Sequence, residues 1–311
     1  MQKVIEKSEG LISFNENMLT NFQELPIEKE NDKEKKFPYK IIPQSVIYNK
    51  NKNTKEKEEE LNIIFNRLDI DNQTQKKIIL FPAGIRTIKD PLFITNEIIN
   101  FLQKKENSDF ICLLIGSIYD KNLYEKISNL TKNFKKNFKI LSSIEHKDFI
   151  LLLENSKICL NSSINEGMSN VILEALSIGV PVLARKNEGN CKLIINDYNG
   201  MLFDTPEEFT QKLNFILKDD FNNDDDVNND NRNNFIKKII ENGKLIIKEN
   251  FSYEVEKNSY KDFLGEIFCR YYFDYEGFSF FFSKNTHPFS FENNEIFDVK
   301  KILIFFFFIF F

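Results

Sequence analysis

From Lys77 onward the chain alternates apolar runs of strand length with amphipathic segments of helix length, and this alternation constrains the fold more than any other feature. The expected strands are Ile78–Phe81, Phe110–Ile115, Phe138–Leu141, Ile158–Asn161 and Val180–Ala184. Helices are expected between them at Leu92–Lys104, Lys121–Phe134, Lys147–Leu153 and Asn170–Ile178. The strand runs are continuously apolar, so both faces need cover, as in a parallel sheet. Strand then helix, repeated, predicts an α/β fold with a doubly wound parallel sheet, Rossmann-like in architecture.

Beyond the last strand, Thr205 can cap a helix, Pro206 suits its first position and Glu208 completes a capping box, so a helix is expected to about Lys218. Residues 219–234 are rich in Asn and Asp and read as a disordered insertion in a surface loop. Two terminal helices are expected, Phe235–Lys248 and Tyr253–Ile267, which places the compact domain at 77–268. Residues 1–40 combine scattered apolar positions with the charge run Glu28–Lys36 and read as a poorly ordered leader. Residues 41–76 read as a strand or interdomain linker followed by a solvated charged loop at Lys50–Glu60. Residues 269–311 are Phe-rich without helical or strand period and are expected to be unstructured.

A net charge of −5 over 311 residues supplies no basic field for a phosphate backbone, so nucleic acid is not an expected partner. Cys112, Cys159, Cys191 and Cys269 lack paired spacing, and His146 and His287 lie far apart, so neither a disulfide framework nor a metal site is expected. Reduced thiols, and a charged Met1–Gly10 without a secretory apolar stretch, predict a cytoplasmic protein. The terminal run Ile302–Phe311 is about half the ~20 residues that a spanning helix needs, so no membrane partner is expected.

In open α/β sheets ligands bind at the carboxyl ends of the strands. The loop Asn161–Ser169 occupies such a place, with Ser169 a suitable N-cap for the helix that follows. Glu166, Gly167 and Met168 then sit above a helix N-terminus, where free N–H groups and the dipole favour an anion and Gly167 permits close approach. Glu174 lies roughly 7 Å further along that helix at about 1.5 Å per residue, a distance suited to the two hydroxyls of a ribose. From the residues alone two readings stay open for each carboxylate. Glu174 is a ligand group or an exposed helix glutamate, and Glu166 is a ligand group or a turn carboxylate satisfied locally.

The run Glu166-Gly167-Met168-Ser169-Asn170-Val171-Ile172-Leu173-Glu174-Ala175-Leu176, continuing through Gly179-Val180-Pro181-Val182, resembles the E-x7-E donor motif of retaining glycosyltransferases of family 4, group 1, which have the two-domain GT-B fold. The segment Pro82–Pro91 with Asn161-Ser162-Ser163 resembles the glycosyltransferase 1 domain-containing subgroup. The resemblance implies binding of a nucleoside diphosphate sugar as donor substrate, with no separate cofactor and no metal, and transfer with retention to an unknown acceptor. It assigns Glu174 to the ribose, and Glu166, a catalytic candidate, with Gly167, Met168 and Ser169 to the donor sugar and diphosphate. Arg86 and Lys89 would neutralise the diphosphate. Most of the family place the lysine further from the arginine; here the two are three positions apart and Gly84 occupies the usual arginine position. Asp69-Ile70-Asp71 has the spacing of a metal-binding pair but precedes the first strand.

Ile41-Ile42-Pro43-Gln44-Ser45 resembles the family's crossing between domains, so the chain is expected to be the C-terminal half of such an enzyme with the N-terminal domain largely missing. Two other functions fit the same donor site: a noncatalytic nucleotide-sugar-binding module and a sugar-nucleotide epimerase of the same architecture.

Overall fold

The computed structural model describes residues 11–13, 39–46, 54–70, 76–218 and 227–273. The chain divides into two compact units, one of Val46–Ser252 and one made from the residues up to Ser45 together with those from Tyr253 on.

In the smaller unit, strands β1 (Leu11–Ser13) and β2 (Tyr39–Ile41) pair in parallel. Ile42 and Phe263 are buried there with Ile267, and Ile12 and Tyr260 pack against them. The expected leader therefore contributes a strand and apolar cover; the rest of it, 1–10 and 14–38, lies outside the described residues.

The larger unit carries helix α1 (Thr54–Arg67), strand β3 (Lys77–Pro82), helix α2 (Leu92–Leu102), β4 (Phe110–Ile115), α3 (Lys121–Thr131), β5 (Phe138–Leu141), α4 (His146–Glu154), β6 (Ser156–Asn161), α5 (Asn170–Ile178), β7 (Val182–Arg185), α6 (Glu188–Leu193), β8 (Met201–Phe203), α7 (Pro206–Leu217) and α8 (Val227–Asn250). The smaller unit also carries α9 (Tyr253–Phe273). Six strands form one sheet in the order β5-β4-β3-β6-β7-β8, every pair parallel.

Successive side chains of a strand point to opposite faces, and here both faces are apolar. Ile78, Leu80, Ile111, Leu113, Cys159 and Val182 join one core with Leu152 of α4, Leu173 and Leu176 of α5, and Ile64 and Phe65 of α1. Ile79, Phe81, Cys112, Leu114, Leu160 and Leu183 join the other with Ile94 and Ile98 of α2 and Phe209 and Leu213 of α7. The doubly wound parallel sheet expected from the sequence is therefore present.

Three expectations need correction. The charged stretch Lys50–Glu60 is helical from Thr54, because Leu61, Ile64, Phe65 and Leu68 share a helical face that packs on the sheet. Three of its charged side chains are matched on α4, with Lys57 2.8 Å from Glu154, Glu60 3.4 Å from Lys147, and Arg67 paired with Asp148. The Asn/Asp-rich segment is helical from Val227, where buried Arg232 donates to the carbonyls of Phe215 and Lys218 at the end of α7. The rest of the insertion, 219–226, is outside the described residues. Helix α9 continues through 269–273, where the unstructured tail was expected to begin, and 274–311 lies outside the described residues.

Two helix ends show how local chemistry sets the boundaries. Thr205 Oγ1 accepts the Glu208 N–H at 3.2 Å, and the Glu208 carboxylate takes the Asp204 N–H at 2.8 Å, so the capping box forms with its return bond one residue early. Helix α5 stops at Gly179, whose φ of 93° is left-handed and whose N–H returns to the Ala175 carbonyl at 2.9 Å.

Candidate functional site

Strand order reverses between β3 and β6, which are neighbours, while the chain winds outward from each. The loops that follow these two strands therefore leave the carboxyl edge side by side, where doubly wound sheets bind ligands. The first loop includes a short 3-10 turn, Thr87–Lys89, and Asp90 in a left-handed conformation. The second spans 162–169.

These loops are laced together. The Ile164 N–H donates to the Ile88 carbonyl at 2.9 Å, and Ser162 Oγ donates to the Lys89 carbonyl at 2.7 Å. At the end of β7, Arg185 donates to Asp90 Oδ2 at 2.9 Å, and its guanidinium lies 3.7 Å from the Phe93 ring centroid. An arginine held over an aromatic face and against a carboxylate has little freedom left.

Lys89 Nζ pairs directly with Glu166 Oε1. The same oxygen accepts from Ser163 Oγ at 2.7 Å and Asn161 Nδ2 at 3.2 Å. Asn161 Oδ1 in turn accepts from the Ser163 N–H at 3.1 Å and from buried Asn190 Nδ2 at 3.0 Å. Asn187 caps α6 by accepting the Asn190 N–H at 2.9 Å, and its own amide donates to the Ser163 carbonyl at 2.8 Å. The Glu166 side chain is 9 % exposed, so removing one of these donors from so dry a site costs more than losing a surface bond would.

Gly189 completes this arrangement. A Cβ on it would lie 2.0 Å from the Glu166 carbonyl oxygen, so α6 approaches the loop as closely as only glycine permits.

Helix α5 starts at the end of the second loop. Ser169 holds the N-cap position and is buried, but its hydroxyl makes no capping bond, which corrects the expected cap. Its carbonyl still accepts the Leu173 N–H at 3.1 Å, so the helix starts where expected. Gly167 is exposed, and Met168 packs against the core beneath. Further along α5, Glu174 Oε1 lies 2.7 Å from His146 Nε2 at the start of α4. Below it Cys159 is fully buried; burial first, and then the Glu174 charge, push its thiol well above the ordinary range. Such a thiol is no nucleophile.

Arg86 does not join the Lys89–Glu166 cluster. Its guanidinium lies 5.5 Å from the Tyr119 ring centroid, and its Nε is buried without a hydrogen-bond partner.

Sequence reasoning thus located Lys89, Glu166, Gly167, Met168 and Ser169 on two adjoining loops, and the structure brings Lys89 and Glu166 into contact. It gave no role in the site to Asn161, Ser163, Arg185 and His146, and passed over Asn187, Gly189 and Asn190. Asn187-Glu188-Gly189-Asn190 follows β7 at the same carboxyl edge, so the rule that located the other loops would have found it. Among the described residues no group of three or more His, Cys, Asp or Glu could hold a metal ion, and no helix is long and apolar enough to cross a membrane.

The doubly wound sheet, with its two laced loops at the carboxyl edge, is the architecture of a GT-B glycosyltransferase domain. The chain belongs to the family of glycosyl transferases group 1, which matches residues 63–242. It is 28 % identical over 179 residues to the glycosyltransferase 1 domain-containing protein 1 of Xenopus tropicalis, covering 58 % of this chain and 47 % of that protein. The chain spans less than half the length of the curated relatives it matches. Among solved structures, a glycosyltransferase from Rickettsia africae superposes with a TM-score of 0.64 at 19 % identity, over 86 % of this chain and 65 % of that one. Anabaena Alr3699/HepE, solved in complex with UDP and glucose, superposes with a TM-score of 0.63 at 15 % identity, over 83 % of this chain and 63 % of that one. At these identities the two structures establish a shared fold.

Proposed function

We propose that this chain is the donor-binding half of a retaining, family 4 glycosyltransferase of the glycosyltransferase 1 domain-containing type, acting in the cytoplasm on a nucleoside diphosphate sugar. The observation that carries this reading is the meeting of Lys89 with Glu166 above the N-terminus of α5, at the point where strand order reverses. A cation and a set of free helix amides on one edge suit a diphosphate, and both act most strongly on the charge that develops there as the sugar leaves. In this reading Lys89 and Arg86 meet the diphosphate, and the backbone of Gly167, Met168 and Ser169 lines it. Glu166 fixes Lys89 and stands against the donor sugar, and Glu174 takes the ribose hydroxyls. The unpartnered Nε of Arg86 supports its part, since a buried N–H without an acceptor is costly unless a ligand supplies one. Alr3699/HepE, a protein of this fold, has been solved in complex with UDP-glucose, a donor of this class.

Calorimetry with uridine and guanosine diphosphate sugars, run beside a product assay, tests the proposal. Binding of one donor is expected, and Glu174→Ala should weaken it by about 1–3 kcal/mol, roughly 5- to 150-fold. Failure of every donor to bind would overturn the donor site. Binding without product under any acceptor would favour the noncatalytic module, because transfer also needs an acceptor held in line with the donor.

A further inference from the structure

We infer that His146 is a positioning residue for Glu174, holding its carboxylate in the orientation that receives a ribose diol, and so sets preference for ribonucleotides over 2′-deoxyribonucleotides. The inference rests on the donor reading above and extends it to a residue outside the motif.

Helix α4 begins at His146, just beyond the carboxyl end of β5. Three polar side chains of its first turn diverge. Lys147 and Asp148 turn to α1, where they meet Glu60 and Arg67. His146 turns the other way and reaches Glu174 on α5, Nε2 to Oε1, at 2.7 Å. A carboxylate only accepts, so the imidazole donates its Nε2–H, which fixes the tautomer. One turn along, the Phe149 ring lies 6.4 Å from the imidazole centroid at 25°, which restrains the plane of the imidazole.

The exposures are unequal in a way that matters. The His146 side chain is 72 % exposed, whereas that of Glu174 is 14 % exposed. An exposed ring with no place in either core is therefore anchoring a carboxylate that has little room and three rotatable bonds. The Cys159 thiol beneath, which burial keeps protonated, also feels the Glu174 charge. The carboxylate has about four lone-pair sites, of which His146 occupies one, so two hydroxyls can still be received together. Receiving both requires the carboxylate plane to be fixed beforehand, and that is what the imidazole supplies.

The test is binding of UDP, GDP and their 2′-deoxy forms to the full chain carrying His146→Leu or His146→Gln, alone and combined with Glu174→Ala. Glutamine places an N–H donor close to where Nε2 lies. His146→Leu should weaken the bound ribonucleotide by about tenfold, the scale of one hydrogen bond to a charged group, and should weaken its 2′-deoxy form less. His146→Gln should recover most of the loss, and His146→Leu should change nothing further once Glu174 is alanine. Melting temperatures should match wild type throughout the His146 variants. Unchanged ribonucleotide affinity in His146→Leu would overturn the inference, as would an equal loss in the Glu174→Ala background or a loss that glutamine fails to rescue. A wild-type chain that binds no nucleotide would overturn the donor reading and this inference with it, whereas wild-type binding that His146→Leu leaves intact overturns this inference alone.

Discussion

Replacing Gly189 with alanine separates the geometry of the loop cluster from the stability of the domain. The added Cβ would lie 2.0 Å from the Glu166 carbonyl oxygen, 2.6 Å from its carbonyl carbon and 2.9 Å from its Cβ. Ordinary contact begins at 3.4 Å, so the loop and α6 must part by about 1.4 Å, and both partners are backbone rather than the end of a flexible side chain. The global cost is modest. Overpacking of this kind costs about 1–3 kcal/mol, and alanine recovers about 1 kcal/mol over glycine as a helix former. At about 2–4 °C per kcal/mol for a domain of this size, the melting temperature should fall by less than about 8 °C. The local cost is larger. A displacement of that size takes Glu166 Oε1 out of reach of Ser163 and Asn161, now 2.7 and 3.2 Å away, and releases Lys89 from its anchor. Hydrogen bonds to a charged group contribute about 1.5–3 kcal/mol each, so donor affinity should drop by more than about tenfold. Calorimetric titration with a nucleoside diphosphate sugar, paired with thermal melts, measures both. An affinity within twofold of wild type, with only the melting temperature lowered, would falsify the claim that Gly189 seats Glu166.

Gly179→Ala should destabilise the larger unit by about 1–2 kcal/mol, because the φ of 93° penalises any Cβ and the new atom would also meet Lys244 and Ile240; urea unfolding should show a lower midpoint with an unchanged slope. The Glu208 carboxyl is held below its ordinary 4.5, first by the hydrogen bond from Lys212 and then by the Asp204 N–H. Its stabilisation is therefore complete above pH 4.5 and fades as pH falls through the lower folded-state value. Denaturation of wild type and Glu208→Gln at pH 7 and near pH 3 should show the wider gap at pH 7, and an equal gap would refute the linkage.

The sheet was legible because most of its strands are built on continuous apolar runs, and Phe110–Ile115 begins and ends where its run does. Helix α5 was legible for a related reason, with an anion-suited turn before it and a glycine after it. Helix α1 was hidden by its charge. Its apolar face is confined to Leu61, Ile64, Phe65 and Leu68, while Lys57, Glu60 and Arg67 are satisfied by residues of α4 far along the chain. Strand β8 is only three residues long and sits at the sheet edge, too short to show a period. In the site, Lys89 and Glu166 could be found from loop position and motif spacing. The loop carrying Gly189 and Asn190 is reachable by the same rule, but its part beneath Glu166 is not, since Asn190 and Gly189 meet Asn161 and Glu166 from a segment that follows a different strand. The Glu174–His146 pair was out of reach for the same reason, being made between two helices 28 positions apart in sequence.

The lacing of the two loops has an evolutionary reach. It runs largely through main-chain atoms: the Ile88 and Lys89 carbonyls are the acceptors, and the Ile164 N–H is one of the donors. Main-chain anchors survive substitution of the residues that bear them. Thr87, Ile88, Ile164 and Asn165 meanwhile expose their side chains on the outer surface of the same loops. Mutation can therefore recut that outer surface while the frame beneath it stays in register, so descendants of one ancestral domain could diverge in the molecules they accept without having to relearn how to fold.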